Sequence, residues 1–269
     1  MRIRAALLAV LLTAVGCGSG NTGGAASDPD APLKVGVSPV PHAQVLQYVK
    51  DNLASAKGLK IEIVEFTDYV QPNTALVDGS LDANYFQTVP YLDTFKAESG
   101  ATLEWIGPVH LEPLGVYSKK HKSLADLPSG ARVAVANDAT NEARGLKLLQ
   151  DNGLIKLKAG AEKTATIRDI AENPRNLEFV ELEAAQLPRS LDDTDASVVN
   201  GNYAIDAGLK PASDALALEK TEGNPNANGL VTRAELKDDQ RIKDLLALLQ
   251  SPEVKDYIKQ TFSGSVLAV

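Results

Sequence analysis

The chain has 269 residues, 27 basic against 35 acidic, and a net charge of −8 at neutral pH. An acidic chain repels phosphate backbones, which excludes a nucleic-acid partner held by charge and electrostatic docking on anionic lipid. Hydrophobic residues make up 44% and charged residues 23%, a globular mix long enough for one large domain or two lobes.

The chain opens with Arg2 and Arg4, an apolar run from Ala5 to Val15, and small residues leading into Cys17, the only cysteine. A basic start, apolar middle and small-residue exit read as a secretory leader. The run is about 11 residues, too short for the ~20 that span a bilayer. A cysteine directly after it resembles the bacterial lipobox, whose cysteine is acylated (palmitate) and becomes the new N-terminus. A leucine is usual where Ala14 stands, and the other reading is an ordinary cleaved leader with an incidental cysteine. Residues 1–17 are therefore expected to be a lipoprotein signal peptide ending at lipidated Cys17. Its removal leaves 25 basic against 35 acidic residues, net −10. No later apolar run is long enough to cross a membrane, so the mature chain is expected on the extracytoplasmic face of the cell membrane, lipid-anchored. With Cys17 acylated no disulfide remains, and the fold rests on its core.

Residues 18–32 are rich in Gly, Ser, Asn and Asp and show no apolar period, as in a flexible tether. Fifteen such residues reach about 20 Å typically and about 50 Å at most. Alternation at Leu33–Val37 predicts a strand, ended by Pro39 and Pro41. A helix is predicted from His42 to Ala56, with Val45, Leu46, Val49 and Leu53 on one face and Gly58 as its stop. Ile61–Phe66 reads as a strand, Thr74–Asp78 as a short helix and Leu81–Ala83 as the start of another strand, and Val116 and Tyr117 end a third or fourth. The pattern restarts with a strand at Arg132–Val135 and a helix capped by Thr140 that runs to Asp151, with Gly153 beyond. Strands follow at Leu177–Leu182, Ala196–Val199 and Leu230–Thr232, with short helices at Leu187–Leu191 and Tyr203–Gly208. Two helices close the chain, Asp239–Gln250 and Pro252–Thr261. Repeated strand–helix order predicts an α/β fold with a largely parallel sheet.

No enzyme signature is present. There is no G-x-S-x-G elbow and no H-E-x-x-H, and His42, His110 and His121 lack metal-ligand spacing. The glycines at 16, 18 and 20 lie in the leader and tether, so they form no dinucleotide loop. His110 and Glu112 would share a strand face, either as an acid–base pair or as a polar pocket wall.

Six segments, in order, carry a resemblance: Phe66–Asn73, Leu81–Gln87, Gly115–Lys120, Asn137–Arg144, Glu172–Leu177 and Glu181–Asp193. From about Leu33 to Ser265 the chain resembles the NlpA-type methionine-binding lipoproteins of bacterial ABC importers. The resemblance implies a two-lobed, periplasmic-binding-protein-like α/β fold (type II) with a ligand cleft between the lobes. Residues 33–117 would form lobe 1, residues 118–225 lobe 2, and residues 226–269 would return to lobe 1 with the C-terminal helices. It further implies a lipid-anchored substrate-binding component, without enzymatic activity, cofactor or metal. That component captures L-methionine or a close analogue and delivers it to an ABC permease and its ATPase. The alternatives are another apolar amino acid, a short Met-containing peptide, or an adhesin on the same fold.

Asn141 and Arg144 stand three apart in the first turn of a helix, where free N–H groups and a forked guanidinium suit a carboxylate. The residues alone leave open a surface arginine paired with Glu142; the resemblance assigns Arg144 to the ligand carboxylate. Asn200 and Asn228, at strand ends, match ligand-contacting asparagines, and turn roles are the other reading. Tyr69 and Phe86 match aromatic positions that line the side-chain pocket, and His110 a histidine near the ligand. Tyr85, Thr88, Glu112 and Asn202 stand second; for Tyr85 and Tyr91 plain core packing is equally open. The chain departs from the family where many members read Phe-Gln-His, since here the third residue is Thr88.

Overall fold

A computed structural model describes residues 31–269. The leader, Cys17 and the tether up to residue 30 lie outside the described residues. Among the described residues no helix is long and apolar enough to cross a membrane.

Alternation at Leu33–Val37 forms β1, with Leu33, Val35 and Val37 fully buried. After a turn at Pro39–Ala43, α1 (Gln44–Asn52) buries Val45, Leu46 and Val49. The expected helix to Ala56 breaks at Leu53 into a single tighter turn, closed by Gly58 at φ 63°. β2 (Ile61–Glu65), α2 (Gln71–Val77) and β3 (Ala83–Thr88) follow. Two further elements carry little period for a sequence to reveal. Helix α3 (Val89–Ser99) buries only Leu92, and β4 (Leu103–Leu111) holds Gly107 and Pro108 and pairs with shifted register.

β4 ends at Leu111, and Val116 and Tyr117 belong to a separate strand, β5 (Gly115–Tyr117). Next come β6 (Arg132–Ala136), α4 (Ala139–Asp151), the short pair β7 (Lys156–Leu157) and β8 (Ile170–Glu172), and β9 (Glu178–Leu182). They are followed by α5 (Leu187–Ser190), β10 (Ala196–Val199), α6 (Gly201–Asp206), α7 (Pro211–Asp214) and β11 (Ala217–Leu218). β12 (Ala227–Arg233), α8 (Gln240–Leu249), α9 (Pro252–Phe262) and β13 (Leu267–Ala268) complete the chain.

Two main sheets result, one in each lobe. The first has the order β13-β4-β12-β3-β1-β2 and the second β11-β5-β10-β6-β9. Both are mixed, not largely parallel. β1 runs parallel to β2 and β3, and β6 to β9 and β10, whereas β12, β13 and β5 pair antiparallel with their neighbours. The cause is the link between sheets: β4 passes into β5 through three residues with no crossover helix, and β12 returns between β3 and β4. Because β5 pairs with β10 and β11, the chain enters the second lobe at 112–114, earlier than the expected step after Tyr117. The return lies between β11 and β12.

Each sheet is covered on both faces. Val45, Leu46 and Val49 of α1 join Ile242, Leu245, Val254 and Ile258 of the C-terminal helices on one face of the first sheet. Leu76 and Leu92 pack with Val231 and Trp105 on the other. In the second lobe Leu146 and Leu149 of α4 cover Val133 and Val198, and Leu187 and Tyr203 cover Ala134 and Val199. Two apolar layers around each sheet hold the facing strand ends rigid.

Candidate ligand-binding site

In the first lobe the C-terminal ends of β3 and β4 meet the start of β12; in the second, β6 and β10 feed the N-termini of α4 and α6. Ligands of open α/β sheets gather at such strand ends. Between the two sets lies a small cavity of about 30 Å³.

Tyr69, Phe86, Asn141, Arg144, Asn200 and Asn228 all line this cavity, as do Thr88, Glu112 and Asn202. His110 and Tyr85 do not. Both are fully buried one layer behind, where His110 Nε2 donates to Glu112 Oε1 at 2.6 Å and the Tyr85 hydroxyl bonds His110 Nδ1. The reason is the strand's geometry: His110 lies inside β4 between two neighbours, and only Glu112, past the strand end, reaches the opening. Tyr91, for which core packing was left open, lines the cavity, as do Gln87 and Gly201, which were not among the expected site residues. Gln87 lies in the resembling segment Leu81–Gln87, and Gly201 had only its place beside Asn200 as a signal.

Helix α4 is capped by Asp138, not Thr140. Asp138 Oδ1 accepts from the Asn141 backbone N–H at 2.9 Å, and Thr140 Oγ1 donates instead to Thr94 Oγ1 in the other lobe at 3.0 Å. Burial raises the Asp138 carboxyl, and hydrogen bonds from Asn141 and Thr140 hold it back. Thr88 likewise has a backbone role, accepting from the Tyr91 N–H at 3.4 Å as the cap of α3.

Arg144 does not pair with Glu142, whose Oε1 accepts from the Ile167 N–H at 2.8 Å. Its Nε and Nη2 donate to the Glu219 carboxylate at 3.0 and 2.5 Å, and Nη2 also to the Glu112 carbonyl at 3.1 Å. Among the described residues nothing engages Nη1, so one edge of the fork is anchored and the other is open. Burial pushes the Glu219 carboxyl up, but Arg144 outweighs it and holds Glu219 below its ordinary value. Glu112 is raised by burial, against the pull of His42 and Arg144. His42, on the turn before α1, bonds Asn228 Oδ1 at 3.1 Å and stands 3.4 Å from Glu112 Oε1. Donor atoms of His42, His110 and Glu112 lie within 4.8 Å of one another, a set of the kind metals take. Linear spacing gave no hint of it, because the fold joins a turn to a distant strand. Here Glu112 Oε1 takes the hydrogen bond of His110 Nε2.

The apolar wall is aromatic. Tyr69 has Phe86, Tyr91 and Tyr203 at ring-centroid distances of 6.1, 5.9 and 4.9 Å. Behind it Asn73, Asn84 and Gln87 form a buried amide network, with Gln87 Nε2 donating to Asn73 Oδ1 at 2.6 Å and to Asn84 Oδ1 at 2.9 Å. This ties α2 to β3 and fixes where Phe86 stands. Hydrogen bonds also cross the cleft: Tyr69 hydroxyl to Asn202 Oδ1 at 2.6 Å, and Tyr203 hydroxyl to the Thr67 carbonyl at 3.1 Å. Asn202 is thus committed to holding the lobes together.

The family model described as NlpA lipoprotein matches residues 33–269. The chain is similar to the D-methionine-binding lipoprotein MetQ of Escherichia coli K12, with 43% identity over 258 residues, 95% of this chain and 93% of that protein. Among solved structures, a nutrient-binding protein from Burkholderia cenocepacia bound to methionine is 51% identical at a TM-score of 0.85, covering 88% of this chain and 99% of that one. Lipoprotein Tp32 from Treponema pallidum is 39% identical at a TM-score of 0.85, covering 89% and 100%.

Proposed function

The chain belongs to the NlpA lipoprotein family, and from that premise we propose that it is the lipid-anchored substrate-binding component of an ABC importer and that its ligand is methionine. The supporting observation is one cavity that joins a half-anchored guanidinium, a buried carboxylate, amides and an aromatic wall. A free amino acid needs all of these. Its carboxylate meets the open edge of Arg144; its ammonium meets Glu112 and Asn200; its thioether packs on Tyr69, Phe86 and Tyr91, where sulfur–ring contacts contribute about 0.3–1.5 kcal/mol each.

Transport follows from closure. The cavity is walled by both lobes, so a ligand that touches both binds the closed form better and shifts the population toward it. The closed form is what a permease driven by a cytoplasmic ATPase would receive, and acylated Cys17 would keep the protein at the outer membrane face. The site binds without turnover; conversion of an amino-acid derivative by the purified protein would overturn that point.

Calorimetry tests the reading. The full chain in detergent is unfolded, dialysed free of any co-purified ligand, refolded and titrated with L-methionine, D-methionine, leucine and Gly-Met. Tight one-to-one binding of a methionine is expected. Folded protein that gives no heat with either enantiomer would sink the proposal.

A further inference from the structure

We infer that Asp138 is a positioning residue that fixes which way two cavity amides face, so that Asn200 presents its carbonyl oxygen to the ligand's ammonium; this rests on the amino-acid reading above. An ionised carboxylate can only accept. Both oxygens of Asp138 take the Asn141 Nδ2 donor, each at 3.0 Å, while Oδ1 also caps the Asn141 backbone N–H. The Asn141 amide is thereby set with its nitrogen toward Asp138. Its Oδ1 accepts from Asn200 Nδ2 at 2.8 Å. This leaves Asn200 Oδ1, in a residue 6% exposed, without a hydrogen-bond partner among the described residues. A buried acceptor without a donor is unfavourable until a donor arrives.

The neighbouring amide has the reverse polarity. Asn228 Oδ1 is held by His42 Nε2 at 3.1 Å, so its nitrogen is the end left for a ligand. An amide free to rotate suits a donor or an acceptor equally; Asn228 is fixed by His42 and Asn200 through Asn141 by Asp138, two anchors outside the cavity lining. The cavity therefore reads the polarity of its ligand, and the Asn200 end demands a donor.

The test uses Asp138→Ser and Asn141→Leu. Serine still caps α4, but its hydroxyl donates as well as accepts and no longer dictates the amide order. Leucine at 141 keeps the Asp138 cap and removes the relay. Each full-length variant in detergent is titrated with L-methionine and with its desamino analogue, 4-(methylthio)butanoate, which has the same carboxylate and thioether but no donor at that carbon. We expect Asp138→Ser to lose about 10- to 100-fold for L-methionine and less than about threefold for the desamino acid, and Asn141→Leu, which also alters the lining, to lose at least about tenfold more for L-methionine than for the desamino acid. Asp138→Ser with wild-type discrimination would overturn the relay and leave Asp138 a helix cap. Equal weakening of both ligands in both variants would also overturn it, as general damage to the site. Wild-type protein that binds neither ligand would overturn the amino-acid reading itself, and the relay with it.

Discussion

Glu219→Gln is the sharpest test of how the two lobes are tied to the site. Glu219 stands where the chain leaves β11 for the first lobe, and its Oε2 accepts from the Leu114 N–H on the outgoing link at 3.3 Å. Its Oε1 accepts from Asn226 Nδ2 at 3.1 Å, and the Glu219 N–H donates to the Leu114 carbonyl at 2.8 Å. Arg144 closes the arrangement from α4. Glutamine keeps one oxygen but turns an amide NH2 toward one of the two guanidinium donors, and the charge is gone. Removing one partner of a buried ion pair costs about 3–5 kcal/mol. The side chains are 11% and 18% exposed, and the Glu112 carboxylate is close enough to feel Arg144, so about 2–4 kcal/mol is expected. At about 2–4 °C per kcal/mol for a domain of this size, the midpoint should fall by about 5–15 °C. The assays are thermal unfolding, for the midpoint, and urea unfolding, for the free energy, both at pH 7 and followed by far-UV circular dichroism and by fluorescence of the single tryptophan, Trp105. A double variant, Arg144→Met with Glu219→Gln, should cost less than the sum of the singles, since no charge is left buried alone. Glu219→Gln within about 0.5 kcal/mol of wild type, or strict additivity in the double variant, would refute the reasoning.

Arg144→Ala should weaken methionine binding at least about tenfold by calorimetry, the loss of a charge-assisted fork; unchanged affinity removes Arg144 from the site. Burial holds His42 down to about 4 and His110 to about 3, against an ordinary 6.5. Below pH 6.5 the unfolded chain thus binds protons that the folded protein refuses, and stability falls as the pH drops, by up to about 1.4 kcal/mol per pH unit for each histidine. Glu112, raised by burial, works in the opposite sense, so the net fall from pH 7 to 5 should be about 1–3 kcal/mol; urea unfolding that is as stable at pH 5 as at pH 7 would contradict this. Tyr203→Phe removes one bond across the cleft and should weaken binding about three- to tenfold while leaving urea stability within about 1 kcal/mol; an affinity equal to wild type would show that this bond does not favour closure.

The fold was legible wherever burial imposed a period. Leu33–Val37, which alternates, and Ala196–Val199, a short apolar run, both lie in sheet interiors and read as strands. Helix α4 buries Ala143, Leu146, Leu148 and Leu149 and was plain for the same reason. Helix α3 offers one buried leucine, and β4 is interrupted by glycine and proline, so neither has a period to read. The direction of the strands was hidden for a different reason. It depends on a link of three residues between β4 and β5, and nothing in Glu112, Pro113 or Leu114 states that the next strand joins another sheet.

The site divides along a related line. The residues that line the cavity fall in short local segments, and resemblance found most of them. Those that orient the liners come from far away: Glu219 reaches Arg144 across 75 positions, and His42 reaches Asn228 across 186. No spacing rule links such pairs, and glutamate or histidine at those positions has many ordinary roles. His110 matches a histidine near the ligand by resemblance, and here it stands one layer behind the lining and holds Glu112 from behind. Local sequence therefore carries the chemistry of this cavity, while its polarity is set by partners the fold supplies. Asp138 is the exception, only three residues from Asn141, and its hydrogen bonds to the Asn141 side chain form within a single helical turn. A cap followed by an amide three positions on can therefore be sought directly in sequence as a sign that the amide's orientation is fixed.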